Sequence, residues 1–449
     1  MLDFLKRSSP VLIGLLLFYL FYSSLIRSSR INDFQDYYQA SVRWEERQDI
    51  YSVVEVNQWQ KSIKDPSQLF QGSNPIHLDR LKDMESGKTW EEKIDDLKSN
   101  IKPENLKYIE ILMNETGTYI YPPIYAFILS PLSSLSYNQA ALVHSIIQFI
   151  CLLLSLILIS RNFSLGMKSP QMLILLVISF RFLENHTNNN QVGFLILFLS
   201  LLSLYSKNDL VSGLILGLAI SIKLTPVAFL FYFFWKKRYK VILYSLIGLG
   251  ICLIIPGISD WAYNLKMLEI WKDYVLKNFF SSPLMRAWKN NQSLPATLGK
   301  FFHDKADPLN QHIYHLPFFI MSHTGLKVLS LSFTLILVIP FLISAWFTKN
   351  DYFIISSIYI FTIVFSGISW VHSFVYLVYP YGYLINKWKD YSKGTKAFLI
   401  FSIFLSSFTT RNIFGSGLEN LFMMFSVMMF GALVLYLILV RMEFRGTPR

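Results

Sequence analysis

The sequence predicts an all-α, polytopic membrane protein with about twelve transmembrane helices, and three observations carry that prediction. Of the 449 residues, 53% are hydrophobic and only 16% are charged, a balance too apolar for a string of soluble domains. Apolar runs of near-spanning length recur along the whole chain. The basic residues, which set a net charge of +12, cluster in the short connections between those runs, as the positive-inside rule expects of cytoplasmic loops. The charge therefore points to membrane orientation and not to nucleic acid. Cys151 and Cys252 both lie inside apolar runs and read as packing residues, with no disulfide framework or metal cluster. There is no phosphate-binding glycine loop, dinucleotide fingerprint or zinc-ligand helix, so no cofactor is expected.

Taken in order, residues 10–25 form the first span, and Lys6 and Arg7 before it hold the N-terminus in the cytoplasm. The run lacks a small-residue cleavage pattern and is read as a retained helix. Residues 29–136 read as a long extracytoplasmic loop with interfacial helices. Its first part, to 118, is polar. The apolar stretch 119–132 is broken by Pro122, Pro123 and Pro131, which remove backbone donors, so it is interfacial or re-entrant. Spans follow from near Gln139 to Arg161, outward over 170–184 and back over 192–206, joined by a polar turn at 184–191. Two short runs, 211–222 and 225–235, form a hairpin with Lys223 at its tip, anchored inside by the basic stretch 235–240. Residues 240–256 lead out to a second extracytoplasmic loop, 257–322. Spans near 324–347, 351–368, 374–386, 397–410 and 418–440 complete the chain, with outer turns at 367–373 and 411–417 and a basic inner tail. The chain thus reads as one transmembrane domain, 1–449, with no carbohydrate-binding module attached.

This topology collects Asp33, Asp36, Tyr121, Glu184, His186, Gln191, Lys223, Arg286, Asn291, Gln292, Ser293, His372 and Arg411 on the outer face. Asp33 and Asp36 lie just beyond the first span. A carboxylate there can act as general base on a hydroxyl at the membrane surface, or it can simply solvate a helix end. Lys223 is costly at membrane depth unless it pairs or lines a wet cavity, which makes it a functional candidate. An outer site cannot draw on cytoplasmic nucleotide sugars or ATP, so its energy must arrive in a lipid-linked donor. A lipid phosphate needs cations, and Lys223, His372, Arg286 and Arg411 are the ones available. Each has a plainer role open to it: the histidine can satisfy a carbonyl at a turn, the lysine can snorkel, and the arginines can anchor the interface.

Five stretches, in order, resemble glycosyltransferase family 87. They are Asp33-Phe34 with Tyr37-Tyr-Gln-Ala40, Tyr121-Pro-Pro123 with Pro131-Leu132, the Gly213-to-Lys223 helix ending Lys223-Leu-Thr-Pro226, Asn291-Gln-Ser-Leu294, and Ser369-Trp-Val-His372. The resemblance implies a GT-C type membrane enzyme that takes a sugar, mannose first among the candidates, from a polyprenyl-phosphate donor. The acceptor would be a glycan or glycolipid. It implies an inverting reaction without metal, in which Asp33 deprotonates the acceptor hydroxyl and His372 and Lys223 bind the lipid phosphate. Asp36, three residues on, is the second candidate for the base. Arg286 and Arg411 would add to the phosphate site, and Tyr121, Gln191, Asn291, Gln292 and Trp370 to substrate binding. The expected location is the bacterial cytoplasmic membrane, among its lipids, with the site facing the periplasm. A transporter or flippase of a lipid-linked glycan is the alternative, and it would show paired broken helices near the membrane centre. An acyltransferase would lean on His372 and leave Asp33 without a task.

Overall fold

The computed structural model describes residues 2–28, 30, 32–52, 102, 105, 119–277, 289–302 and 319–446, and every regular element among them is helical. Most of the expected loop 29–136, much of 257–322 and the candidate Arg286 lie outside the described residues.

Helix α1 (Leu2–Ser28) packs against α4 (Tyr137–Phe163) and α5 (Pro170–Asn188). Between α1 and α4 lie two short helices. In α2 (Phe34–Glu45) the residues Phe34, Tyr37, Ala40, Ser41 and Trp44 are buried, the spacing of a single helical face. That face rests on α3 (Pro123–Leu129) and the following 3-10 turn, Ser130–Ser134. Pro123 opens α3, in the first turn, where its missing N–H has no intrahelical partner to lose. The proline-broken stretch is therefore a short helix and turn rather than a span.

After α5 the chain forms α6 (Gly193–Tyr205), α7 (Asp209–Ile222), a 3-10 turn (Thr225–Ala228), α8 (Phe229–Trp235) and α9 (Tyr239–Ile254). Arg238, just after α8, bonds to Asp209 at the start of α7, with N···O of 2.6 Å. The two segments thus leave and return to the same place, and Lys223 sits at the far end of the expected hairpin. Helix α7 also packs closely on α9. A Cβ on Gly217 would stand 2.5 Å from the Ser245 carbonyl oxygen, and one on Gly213 2.4 Å from Tyr244 Cβ. These glycines, four residues apart, let the two backbones touch, as small residues do between membrane helices.

Next come α10 (Trp261–Ile270), α11 (Leu294–Phe302), α12 (His323–Phe347) and α13 (Asp351–Val364). A 3-10 segment, Val371–Leu377, leads into α14 (Val378–Asn386). The chain ends with α15 (Lys393–Ile403), α16 (Arg411–Met424) and α17 (Val427–Gly446). Lys236 pairs with Asp351 at 3.0 Å, and Asn350 bonds to Glu443 and to Tyr383, each at 3.0 Å. With Arg238–Asp209, these contacts gather the connections expected inside at one end of the bundle. Asp33, Gln191, Lys223 and His372 lie at the other.

Among the described residues, five helices are long and apolar enough to cross a membrane: Arg7–Arg27, Tyr137–Phe163, Tyr239–Gly257, Thr324–Phe347 and Val427–Phe444. A sixth span arises if Lys393–Phe408 and Arg411–Met424, bent by 85°, count as one. Twelve were expected, and the difference lies in runs such as Gly193–Tyr205, Asp209–Ile222 and Asp351–Val364. At 1.5 Å per residue, a helix of about 14 residues covers about 21 Å, short of a hydrocarbon core of about 30 Å. The expected span 418–440 is also divided. Ser426, with φ of +55°, breaks the chain between α16 and α17. Arg181 on α5 pairs with Glu419 at 3.2 Å and bonds to Thr409 at 3.0 Å, tying α16 to α5.

Candidate active site

Asp33 occupies the position just before α2, where the Asn32 side chain accepts a hydrogen bond from the Phe34 N–H at 3.0 Å. This local turn ends the run from α1 and sets the direction of α2. The Asp33 carboxylate is half-buried and accepts a hydrogen bond from Gln191 Nε2. Gln191 comes from the α5–α6 turn, and its Oε1 accepts from the Tyr37 hydroxyl at 2.7 Å. Tyr37 and Tyr121 hydroxyls are 3.1 Å apart. Because Tyr37 gives its proton to Gln191, Tyr121 is the donor between them. Lys223 Nζ lies 5.9 Å from the centre of the Tyr121 ring and acts electrostatically on Asp33, His186 and His372.

Burial pushes the Asp33 carboxyl up to about 6, against the opposing pull of the Gln191 hydrogen bond and the Lys223 charge. As the general base expected from the sequence, Asp33 would have to be deprotonated to work. Activity is therefore expected to fall as pH drops through about 6, and a pH–rate profile checks it. An acidic limb nearer 4, the ordinary carboxylate range, would contradict the burial seen at Asp33. Asp36 is half-buried in the first turn of α2, with Tyr121 and Tyr137 as electrostatic neighbours.

His372 is the second residue of the 3-10 segment that follows Trp370, with the two rings 6.0 Å apart. Its Nδ1 is buried and has no hydrogen-bond partner among the described residues. A buried ring nitrogen in that state calls for a ligand or a further group. The turn that carries it is held by Asn291. Asn291 Oδ1 accepts from the backbone N–H of Ser369 at 2.9 Å and of Ser293 at 3.2 Å, and its Nδ2 donates to the Gly367 carbonyl at 2.9 Å. Gln292 adds a backbone bond to the Ser369 carbonyl at 2.7 Å, and its Nε2 donates to the Met423 carbonyl at 2.8 Å. Both were expected to touch substrate. Instead, Asn291 gives both ends of its amide to backbone and fixes the Ser369–His372 turn, whereas Gln292 gives only its Nε2, and its buried Oε1 has no hydrogen-bond partner among the described residues. Asn291→Ala leaves several buried backbone groups unpaired, at about 1–3 kcal/mol for each such group. We expect a clear drop in melting temperature; an unchanged melt would show that the turn is held by other means.

Arg411 is exposed at the start of α16 and is joined to this cluster by no hydrogen bond or ion pair among the described residues. The structure thus brings Asp33, Tyr37, Tyr121, Gln191 and Lys223 together, sets His372 within the electrostatic field of Lys223, and leaves Arg411 apart. Sequence reasoning missed two buried residues. Lys300 on α11 donates to the carbonyls of Asn291 at 2.8 Å and Met423 at 3.1 Å, and burial pulls its ammonium down to about 7. A lysine inside the apolar run 294–302 was the available signal. His144, on α4, bonds to Asn190 at 2.8 Å. It sits in a long apolar run in which a lone histidine reads as packing.

A carboxylate, an amide, two phenols and an ammonium at one end of a helical membrane bundle define a site suited to proton abstraction beside a bound anion. A family model for glycosyltransferase family 87 matches residues 119–349, just over half of the chain, and the protein belongs to that family. It is accordingly a membrane glycosyltransferase, acting on a sugar donor and a glycan acceptor. The matched stretch holds Tyr121, Gln191, Lys223, Asn291 and Gln292; Asp33 and His372 flank it. No curated protein and no solved structure gave a match.

Proposed function

We propose that the protein is an inverting, GT-C type glycosyltransferase that moves a sugar from a polyprenyl-phosphate donor to a lipid-linked or envelope glycan. The observation that carries this reading is the Asp33 carboxylate, held by Gln191 within the field of Lys223. Asp33 takes the proton of the acceptor hydroxyl as that oxygen attacks the anomeric carbon. The bond from that carbon to the phosphate oxygen breaks on the opposite face, and polyprenyl phosphate leaves. The leaving group already carries its charge well, so one carboxylate suffices, unlike the pair that glycoside hydrolysis needs. Lys223 and His372 take up the phosphate charge as it grows. Asp36 is the runner-up for the base. The site faces the periplasmic side of a bacterial cytoplasmic membrane, opposite the basic connections.

The test supplies purified protein in nanodiscs with synthetic polyprenyl-phosphate mannose, arabinose and glucose and with an envelope glycolipid extract as acceptor. Transfer from one of them, with inversion at the anomeric carbon read by NMR, is the expected result. No transfer from any donor, or a product that retains configuration, would overturn the reading.

A further inference from the structure

We infer that His144 and Asn190 are positioning residues: together they hold the α5–α6 turn so that Gln191 meets Asp33. The inference rests on the reading of Asp33 as the base. Asn190 directly precedes Gln191, is 2% exposed and has a φ of +46°. Asparagine is among the few non-glycine residues that adopt this left-handed conformation routinely. Its side chain is spent on α4. Nδ2 donates to the Ala141 carbonyl at 3.0 Å, which turns Oδ1 toward His144 Nδ1 at 2.8 Å. An amide oxygen only accepts, so the proton sits on His144 Nδ1, and Nε2 is left to accept. Nε2 meets the Tyr125 hydroxyl at 2.8 Å.

The other side of the same imidazole faces α2. Its ring centre is 4.7 Å from that of Phe34 and 6.1 Å from that of Tyr37. His144 therefore touches the chain neighbour of Gln191 on one side and the chain neighbour of Asp33 on the other. One turn further along α4, Gln148 Oε1 accepts from the Leu195 N–H at 3.1 Å, so the start of α6 is tied to the same face. His144 makes no hydrogen bond to Asp33 among the described residues; it sets the two partners of the Asp33–Gln191 bond from behind. Hydrogen-bonding groups in a site need to be held within about 0.5 Å to be effective, and a turn between two helices gives that precision only when its side chains are fixed.

The test uses His144→Phe, which keeps the ring and removes both hydrogen bonds; Asn190→Gly, which keeps the left-handed backbone and removes the amide; and His144→Asn, whose Nδ2 stands close to the lost Nδ1–H. Asp33→Asn is the control. Transfer is measured in nanodiscs from polyprenyl-phosphate mannose, or from whichever donor the wild type uses, alongside thermal melts. We expect kcat to fall roughly 10- to 100-fold in His144→Phe and Asn190→Gly, with donor KM little changed, and His144→Asn to recover most of the loss. The acidic limb should also move to higher pH, because the Gln191 hydrogen bond is what lowers the Asp33 pKa from one side. The other charged and titratable groups about Asp33 stay in place: Lys223 after α7, Tyr121 before α3, Tyr137 on α4, and Tyr37 and Asp36 on α2. Wild-type kcat and limb in these variants, with Asp33→Asn inactive, would overturn the positioning role alone. A fall in kcat that tracks lost thermal stability with an unmoved limb would do the same. Full activity of Asp33→Asn would overturn the reading of the base, and this inference with it.

Discussion

Asp33→Asn is expected to lower sugar transfer by about 10²- to 10⁴-fold, the range that a positioned general base contributes. Asparagine has nearly the shape of aspartate, and its Oδ1 can still accept from Gln191 Nε2, the bond that holds Asp33 in place. It cannot take a proton from the acceptor. The loss should therefore appear in kcat with the protein folded and the donor still bound. Asp36→Asn serves as the comparison, since Asp36 lies on the same short helix. It should lose less than about tenfold, because its carboxylate is not the one hydrogen-bonded to Gln191. Reversal of this order would move the base to Asp36.

Lys223→Met is the second large effect, an expected fall of about 10²- to 10³-fold, as when one charge-stabilising group is removed from a reacting site. Lys223 closes α7, where its backbone N–H bonds to the Ala219 carbonyl at 3.0 Å. The glycine contact between α7 and α9 fixes the helix that carries it. The ammonium acts on Asp33 and on His372, so its loss has two signatures. Donor binding weakens, because a phosphate loses a cation. The acidic limb of the pH profile also rises, because the positive charge of Lys223 lowers the Asp33 pKa and its removal lets burial push that pKa higher. Lys223→Arg restores the charge with a different reach and should recover part of both. Unchanged donor KM and an unmoved limb in Lys223→Met would remove Lys223 from the site.

The helical membrane class was legible in the sequence because apolar length and basic loops report directly on the bilayer. The single-span arithmetic was less so. A run such as 211–222 reads as apolar whether or not it reaches across, and what sets its role is the Asp209–Arg238 pair that closes the hairpin. Asp33, Tyr121, Gln191 and Lys223 were each picked out individually, because each is a polar residue at the edge of an apolar run. Their meeting depends on contacts between residues as far apart as Asp33 and Gln191, which no local pattern encodes. Asn291 shows the converse. Its chemistry suits substrate and backbone alike, and only the observed carbonyl and N–H partners show where its amide is used. His144 was hidden by its surroundings: on an apolar helix a histidine looks like core until Asn190 is found against it.

The proposed reaction depends most on one carboxylate. The direct measurement is single-turnover transfer of labelled mannose from synthetic polyprenyl-phosphate mannose, with wild type, Asp33→Asn and Asp36→Asn side by side in nanodiscs and their melting temperatures recorded. Product from wild type and Asp36→Asn, with none above background from a folded Asp33→Asn, is the predicted result. Product from Asp33→Asn at the wild-type rate would contradict it.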